Sequence, residues 1–372
     1  MLLVKKRSWQ LIVLILLLGA GIHTLKAQKV KNHSLYSKYL KERRNIQVQL
    51  PKDYAVSDRA YPVLIVLDGE YVFDYARGAA SFLSNAFGFF PQLIVVGIPN
   101  TDRNRDLFVD LKPDGPYLKF ISFLEHEVLS FIKNRYRSNG FEILYGWSSG
   151  AGIVNYIAVK NPKLFNAYIL AGAGIGPKTE AFIKTELKPE SYTQAFLFAS
   201  AEGSTPRAEG LKKHRALLQA LNPKGLDWEF KVYENQSHVA AMSKGLYDGL
   251  EFVFKSYHIP ESITTEGAEK VINYYRDLKR FYGYQVEIPE GALNEISSAL
   301  QPKQAIRLLD YGLKIYPKSS LIMAAKAGRY LELGDGQKAK HEYQNALKHA
   351  TSKLDKHKYH SLLKELSKPN KN

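Results

Sequence analysis

The sequence has no cysteine among its 372 residues. This absence excludes disulfide bonds, thiolate metal sites and a lipid-modified N-terminal cysteine, so the fold must be stabilised by packing. Long hydrophobic runs are also scarce. Residues 11–22 form an apolar block, but the block falls short of the roughly 20 residues that span a bilayer. No other stretch is apolar enough to cross a membrane.

The apolar block follows the basic residues Lys5, Lys6 and Arg7 and is followed by Leu-Lys-Ala at residues 25–27. This order is typical of a secretory signal peptide cleaved after Ala27, and the alternative is a retained membrane anchor. We therefore predict a signal peptide over residues 1–27. The mature protein would be exported, periplasmic or secreted, with no membrane span after cleavage.

Acidic residues are outnumbered, with 36 Asp and Glu against 52 Lys and Arg, which gives a net charge of +16. The predicted signal peptide holds four of these basic residues and no acidic ones, so the mature chain stays near +12. Such an excess could favour anionic partners. However, the basic residues are spread along the chain and interleaved with acids, which favours a solvated lysine-rich surface. Export also argues against a nucleic-acid partner.

The length fits two domains, and a content of 45% hydrophobic and 24% charged residues is typical of globular proteins. Residues 28–44 are polar and basic, and residues 100–114 form a long polar loop. Strands are predicted at residues 44–50, 61–67, 92–99, 141–145, 167–171, 195–200 and 227–233. Helices are predicted at residues 71–86, 117–136 and 209–221. This alternation predicts an α/β fold with a doubly wound, mainly parallel sheet, whose ligands bind at the carboxyl ends of the strands.

A Gly-Trp-Ser-Ser-Gly sequence at residues 146–150 joins the strand at 141–145 to a helical segment. In a G-x-S-x-G turn the serine adopts a strained backbone conformation, and the small residues two positions before and after it avoid a clash. Gly146 and Gly150 meet this requirement around Ser148, which we predict to be a nucleophile. Ser149 is the rival, but it lacks the paired glycines.

A serine nucleophile needs a base and a carboxylate that orients the base. His238 follows the last predicted strand, in a loop that could carry it over Ser148. His214 lies within a predicted helix and is expected on its solvated face. Metal ligands and cofactors are not required by this chemistry, and we predict none.

Glu202 directly follows the strand at 195–200 and is the predicted acid. Glu209 and Asp227 are the alternatives, although the first begins a helix and the second precedes its strand. Stabilisation of an oxyanion is expected from backbone amides, one at Ser149 and one in the turn at residues 68–70.

From about residue 44 to 257 the chain resembles an esterase family of α/β-hydrolases. That family includes enterochelin and related siderophore esterases, S-formylglutathione hydrolase, feruloyl esterases and mycolyltransferases. The resemblance is carried by residues 61–69, 96–106, 146–150, 237–238 and 247–254. It implies a serine ester hydrolase that acts through an acyl-enzyme. It also implies Ser148 as nucleophile, His238 as base, Glu202 as acid, and the amides of Glu70 and Ser149 as the oxyanion hole.

Three side chains are predicted to contact the substrate, namely Tyr71, Trp147 and Arg103. Trp147 departs from the Gly-His-Ser form common in the family and alters the wall of the site. Arg103 and Arg105 could instead brace the fold by pairing with Asp106, and this bracing role is favoured. The resemblance implies a siderophore, acyl-carbohydrate or other small ester as substrate. An acyltransferase and a non-catalytic scaffold protein are the alternatives.

From residue 259 the pattern is helical only. Ala305, Leu309, Gly312 and Leu313 recur 34 positions later as Ala339, Tyr343, Ala346 and Leu347, and 34 residues is the period of tetratricopeptide repeats. The region resembles one and a half such repeats with a capping helix at residues 352–366. We therefore predict a hydrolase domain over 28–258 and a tetratricopeptide-like region over 259–372. The latter would pack on the hydrolase domain or bind a protein partner.

Overall fold

The computed structural model describes residues 30–86 and 88–367, so the predicted signal peptide lies outside the described residues. Eight strands form one sheet in the order β1-β2-β4-β3-β5-β6-β7-β8. The strands are β1 Lys31–Ser37, β2 Glu42–Gln49, β3 Tyr61–Leu67, β4 Ile94–Ile98, β5 Ser138–Trp147, β6 Ala167–Ala171, β7 Ala195–Glu202 and β8 Leu226–Tyr233. From β4 to β8 all neighbours pair in parallel, whereas β1 and β2 pair antiparallel at one edge. The predicted doubly wound, mainly parallel sheet is confirmed.

Helices connect the strands across both faces of the sheet. Those up to the last strand are α1 Gly69–Ala86, α2 Arg103–Leu107, α3 Tyr117–Ser122, α4 Leu129–Arg135, α5 Ser149–Lys160, α6 Pro177–Glu186 and α7 Pro206–Leu221. A π-helical segment, Phe123–Val128, joins α3 to α4. After β8 the chain is helical, with α8 His238–Val253, a 3₁₀ turn Lys255–Tyr257, α9 Glu261–Thr264, α10 Ala268–Asp277, α11 Lys279–Tyr282, α12 Glu290–Ala299, α13 Pro302–Ile315, α14 Ser320–Glu332, α15 Gly336–His349 and α16 Lys353–Leu366.

Two hydrophobic cores cover the two faces of the sheet. In β3, Val63 and Ile65 belong to one core, while Leu64 and Val66 belong to the other, as alternation along a strand requires. The first core packs under α3, α5 and α7. The second packs under α1 and α8. A continuous apolar run such as β3 is therefore the sequence mark of a strand covered on both sides.

The second core is shared with the helices after residue 258. Tyr282 stacks on Phe196 with ring centroids 5.7 Å apart, and it contacts the ring of Phe141 edge-on at 5.5 Å. Its hydroxyl donates to the Val253 carbonyl at 3.0 Å. A third, smaller core joins α14, α15 and α16. The domain boundary at residue 258 stays a prediction. The second core contains residues from both sides of that boundary.

Helices α13 to α16 lie where the repeat pattern predicts helices. The small residues Ala305 and Gly312 are buried, as are their partners Ala339 and Ala346 one period later. Burial of small residues lets paired helices approach closely, as the pattern requires. Identification of these helices as tetratricopeptide repeats remains a prediction.

The structure differs from the sequence predictions at several places. Strand β1 lies in the polar segment 28–44, where no strand is predicted, and α2 lies in the predicted loop at 100–114. The single helix predicted at 117–136 is divided by its π-helical segment. No helix among the described residues is both long and apolar enough to cross a membrane.

Candidate active site

The turn between β5 and α5 places Ser148 in a strained conformation. Its backbone has φ 57° and ψ −116°, which is unusual for a residue with a side chain. The Ser148 amide donates to the carbonyl of Ala171 at 2.9 Å, which fixes the turn on β6. A Cβ at Gly146 would lie 2.3 Å from the Gly150 carbonyl oxygen. Gly146 is therefore needed for the turn to close, whereas a Cβ at Gly150 would meet only ordinary contacts, the nearest at 3.4 Å.

His238 lies at the start of α8, and not in the loop that was predicted. Ser237 caps this helix by accepting from the amide of Ala240. The imidazole Nδ1 lies 3.1 Å from Glu202 Oε1. The ring also lies over Gly172, where a Cβ would come within 2.7 Å of His238 Cε1. This glycine, which the sequence analysis did not single out, leaves the space that the imidazole occupies.

Glu202 is the last residue of β7, and its side chain is 4% exposed. Its Oε1 also accepts from Arg207 Nη1 at 3.0 Å, whereas the buried Oε2 has no hydrogen-bond partner among the described residues. Burial acts to raise the pKa of Glu202. Hydrogen bonds from its own amide and from His238, together with the charge of Arg207, outweigh burial and lower that pKa. The carboxylate is therefore ionised where it meets the imidazole.

The alternative acids lie away from the imidazole. Glu209 is exposed in the first turn of α7 and pairs with Lys212 at 2.8 Å. Asp227 lies near the start of β8, at the opposite end of that strand from His238, and pairs with Lys255 at 2.7 Å. Only Glu202 of the three candidates is hydrogen bonded to His238.

Ser148, Glu202 and His238 lie at or just after the carboxyl ends of β5, β7 and β8, where a parallel sheet places its ligand crevice. Within the described part of the chain, no side chain is hydrogen bonded to the Ser148 hydroxyl. Contacts between a nucleophile and its base often tighten only when substrate binds. The assignment of these three residues as a triad remains a prediction.

The two amides predicted for the oxyanion hole both lie in the first turns of helices. Ser149 is the first residue of α5, and Glu70 is the second residue of α1. Amides at these positions have no acceptor four residues earlier within their own helix. The turn before α1 passes close to β4, since a Cβ at Gly69 would lie 2.7 Å from the amide nitrogen of Ile98.

Arg103 faces this turn and does not pair with Asp106. Its Nε and Nη2 donate to the two carboxylate oxygens of Asp68 at 2.7 and 3.0 Å, and its Nη1 lies 3.4 Å from Ser149 Oγ. The hydrogen bond with Asp68 raises the pKa of the guanidinium, so it is charged. The predicted bracing by Asp106 is thus wrong for Arg103 and confirmed for Arg105, which contacts Asp106 at 2.6 Å.

A cavity of about 230 Å³ opens beside Ser148. Its lining includes Ser148, Asn155, Tyr156, Phe182 and His214. Tyr156 and Phe182 stack with centroids 5.1 Å apart. The side-chain amide oxygen of Asn155, Oδ1, is buried with no hydrogen-bond partner in the described residues. The cavity therefore combines an aromatic wall with polar groups.

The prediction that His214 lies on a solvated face is wrong. The residue is 2% exposed, and its ring contacts Phe230 edge-on at 5.0 Å. His214 follows Leu211 by three positions and precedes Leu218 by four, so it lies on the apolar stripe of α7. That spacing is the sequence signal that could have identified it. Burial lowers the pKa of His214 to about 4, so the imidazole is neutral.

The side chains predicted to contact substrate border the same end of the sheet. Tyr71 is 66% exposed and follows Glu70. The ring of Trp147 lies 5.0 Å from that of His238, and the Arg103 guanidinium lies 6.0 Å from the Trp147 ring. Contact of these three side chains with substrate remains a prediction.

Comparison with known proteins supports the same chemistry. The family model described as "Putative esterase" matches residues 37–209. The match covers a little under half of the chain, and this part is similar to the esterase family. The structure is also similar to that of a serine hydrolase from Shewanella oneidensis, described as IroE-like, with 26% sequence identity and a TM-score of 0.62. That likeness covers 80% of this chain and 99% of the other. The protein is thus a carboxylic ester hydrolase of the α/β-hydrolase fold.

Two further solved structures share the fold of this esterase. An uncharacterised protein from Capnocytophaga ochracea is 18% identical with a TM-score of 0.62, covering 91% of this chain and 99% of its own. A siderophore hydrolase, EstB, from Aspergillus nidulans is 20% identical with a TM-score of 0.52, covering 65% and 99%. No curated protein matches the chain.

Proposed function

We propose that this esterase is an exported serine carboxylic-ester hydrolase that works through an acyl-enzyme. Ser148 is the nucleophile, His238 the general base and Glu202 the acid that orients it. The observation that carries the proposal is the 3.1 Å contact between His238 Nδ1 and the buried Glu202 carboxylate, beside the strained turn of Ser148.

In this mechanism Nδ1–H of His238 donates to Glu202, so Nε2 is free to accept a proton. Ser148 Oγ attacks the ester carbonyl and passes its proton to Nε2. The negative oxygen of the tetrahedral intermediate is stabilised by the amides of Ser149 and Glu70. The bond to the alcohol breaks, and the alcohol takes the proton from His238. A water molecule then hydrolyses the acyl-enzyme by the same steps.

The cavity beside Ser148 supports a small acyl group. Its volume of about 230 Å³ is below the roughly 300–1,000 Å³ of pockets that enclose drug-sized ligands. The alcohol part of the ester would extend over the exposed side chain of Tyr71 and the ring of Trp147. This arrangement suits a short or compact acyl group on a larger alcohol, such as a siderophore or an acyl-carbohydrate.

The first test is labelling with a fluorophosphonate probe, which reacts with activated serines. We expect the wild type to be labelled and Ser148→Ala to be unlabelled, because the probe needs the hydroxyl. Equal labelling of the two proteins would reject Ser148 as nucleophile. No labelling of the wild type would support the alternative, a non-catalytic hydrolase-fold scaffold.

The acid is tested by comparing Glu202→Gln with Glu209→Gln, two neutralised carboxylates on neighbouring elements. Turnover should fall by roughly a thousandfold or more in Glu202→Gln, because the imidazole loses its orientation and its counter-charge. Glu209→Gln should keep the turnover of the wild type. Circular dichroism should show both variants folded. The reverse pattern would reassign the acid and leave Ser148 and His238 in place.

Substrate and reaction type are tested together. A panel of short-chain, feruloyl and catecholate esters should show turnover decreasing once the acyl group exceeds the cavity. Product analysis with a carbohydrate acceptor separates hydrolysis from acyl transfer, since a transferred acyl group would appear on the sugar.

Mass spectrometry of protein from the culture medium or periplasm tests export, and we expect a mature N-terminus at residue 28.

A further inference from the structure

The turn that precedes α1 places a negative charge beside the proposed oxyanion hole. The Asp68 side chain is fully buried, and its Oδ2 lies 3.4 Å from where a Cβ of Gly150 would be. Asp68 also precedes Glu70 by two positions. A fixed anion next to both amides would repel the negative charge that develops during the reaction, and low local polarity strengthens that repulsion.

The charge of Asp68 is balanced by Arg103. Two guanidinium nitrogens bind the carboxylate in a bidentate pair, and the third, Nη1, lies 3.4 Å from Ser149 Oγ. The guanidinium thus links the turn before α1 to the start of α5. Asn100 completes the link, because its Nδ2 donates to Asp68 Oδ1 at 2.7 Å and to Glu70 Oε1 at 2.8 Å.

We propose that Arg103 is a positioning residue of the esterase reaction. It neutralises Asp68 and holds the turn at residues 68–70 against the N-terminus of α5, so that the amides of Glu70 and Ser149 can stabilise the oxyanion. This inference rests on the proposed function. It assigns Arg103 a role in turnover of every ester, charged or neutral, and not the binding of an anionic substrate.

The test uses Arg103→Gln and a neutral substrate, a p-nitrophenyl ester of a short fatty acid. The kcat should fall roughly ten- to a hundredfold, less than the roughly hundred- to thousandfold lost when an oxyanion donor is itself removed. The KM should change by no more than a few-fold, because the neutral ester does not bind Arg103. A rise in KM at unchanged kcat would contradict the proposal.

A second variant separates charge compensation from a merely structural role. The double variant Asp68→Asn/Arg103→Gln removes the anion together with the guanidinium. Its kcat should be higher than that of Arg103→Gln and within a few-fold of the kcat of Asp68→Asn alone. Asparagine suits this position because it tolerates the positive φ of 54° at Asp68. A double variant as impaired as Arg103→Gln would overturn the proposal.

Arg105→Gln is the matched control. Arg105 lies two residues further on α2 with the same 31% side-chain exposure, but it pairs with Glu42 and Asp106. The kcat of the Arg105→Gln variant, measured on folded protein, should equal that of the wild type. Fluorophosphonate labelling distinguishes the two levels of failure. A labelled wild type with undiminished turnover in Arg103→Gln overturns this inference alone, whereas an unlabelled wild type overturns the proposed function with it.

Discussion

At the scale of single residues, His214 shows how burial near the active site affects the whole protein. Its imidazole is enclosed on α7 and lines the cavity beside Ser148. The unfolded chain takes up a proton on this side chain near pH 6.5, but the folded chain takes it up only near pH 4. Acid therefore favours the unfolded state through this residue.

We predict that His214→Leu makes the stability less dependent on acid. Because the folded-state pKa is lowered, the wild type should lose roughly 2 kcal/mol of unfolding free energy through this residue between pH 7 and pH 5. The variant should lack this part of the loss in urea denaturation at the two pH values. His341→Gln, at an exposed position on α15, should lose as much as the wild type. Identical pH dependence in all three proteins would contradict the prediction.

At the scale of elements, the sequence predicts best where one physical signal dominates. The bounds of β3 and β6 agree with the structure because both strands are continuous apolar runs. Strand β1 is polar, and pairing with β2 at the edge of the sheet decides its conformation. Helix α2 has five residues, too few to show a period.

In the candidate site, too, some residues could be predicted from the sequence and others could not. Ser148, Glu202 and His238 could be proposed from the sequence because each follows a recognisable strand. The contacts of Arg103 with Asp68 and of Arg207 with Glu202 depend on how separate loops pack, which a local pattern does not contain. Gly172 is another such residue, since its role appears only once the imidazole lies over it.

We predict that Gly146→Ala disrupts the turn of Ser148. A methyl group there would lie 2.3 Å from a backbone oxygen, so the variant should lose at least about 2 kcal/mol of stability and most of its fluorophosphonate labelling. Gly152→Ala is the control in the adjacent helix, where the nearest atom to a Cβ is 3.8 Å away. It should be neutral or gain up to about 1 kcal/mol. Equal stability of the two variants in thermal unfolding would refute the packing argument.

At the scale of the whole molecule, the esterase and the C-terminal helices depend on each other. Of the 40 buried residues described in the second core, 16 lie after residue 258. They include Tyr282, whose ring lies among those of Phe141, Phe196 and Phe254. The sequence predicts the change to helices at residue 259, but helix periodicity does not show which surface the helices cover.

We predict that truncation tolerance follows these cores and not the boundary at residue 258. A chain ending at residue 258 should expose part of the sheet face that the second core covers, and it should be insoluble or lack a cooperative unfolding transition. A chain ending at residue 334 keeps every described residue of the second core and should stay folded and active. Solubility, thermal unfolding and ester turnover measure the difference. A soluble, active chain ending at residue 258 would contradict the prediction.

The contribution of Tyr282 and its neighbours to this core also bears on the order of synthesis. The N-terminus of a chain leaves the ribosome first, and domains generally fold as units as they emerge. The strands of the esterase emerge first, and α1 and α8 cover part of one face of the sheet, yet the part of the second core that α10 to α13 supply is missing until those helices have followed. Ribosome-bound chains of increasing length should therefore react with fluorophosphonate only after residue 315, the end of α13, has left the exit tunnel. We therefore expect the nascent enzyme to stay inactive for most of its translation.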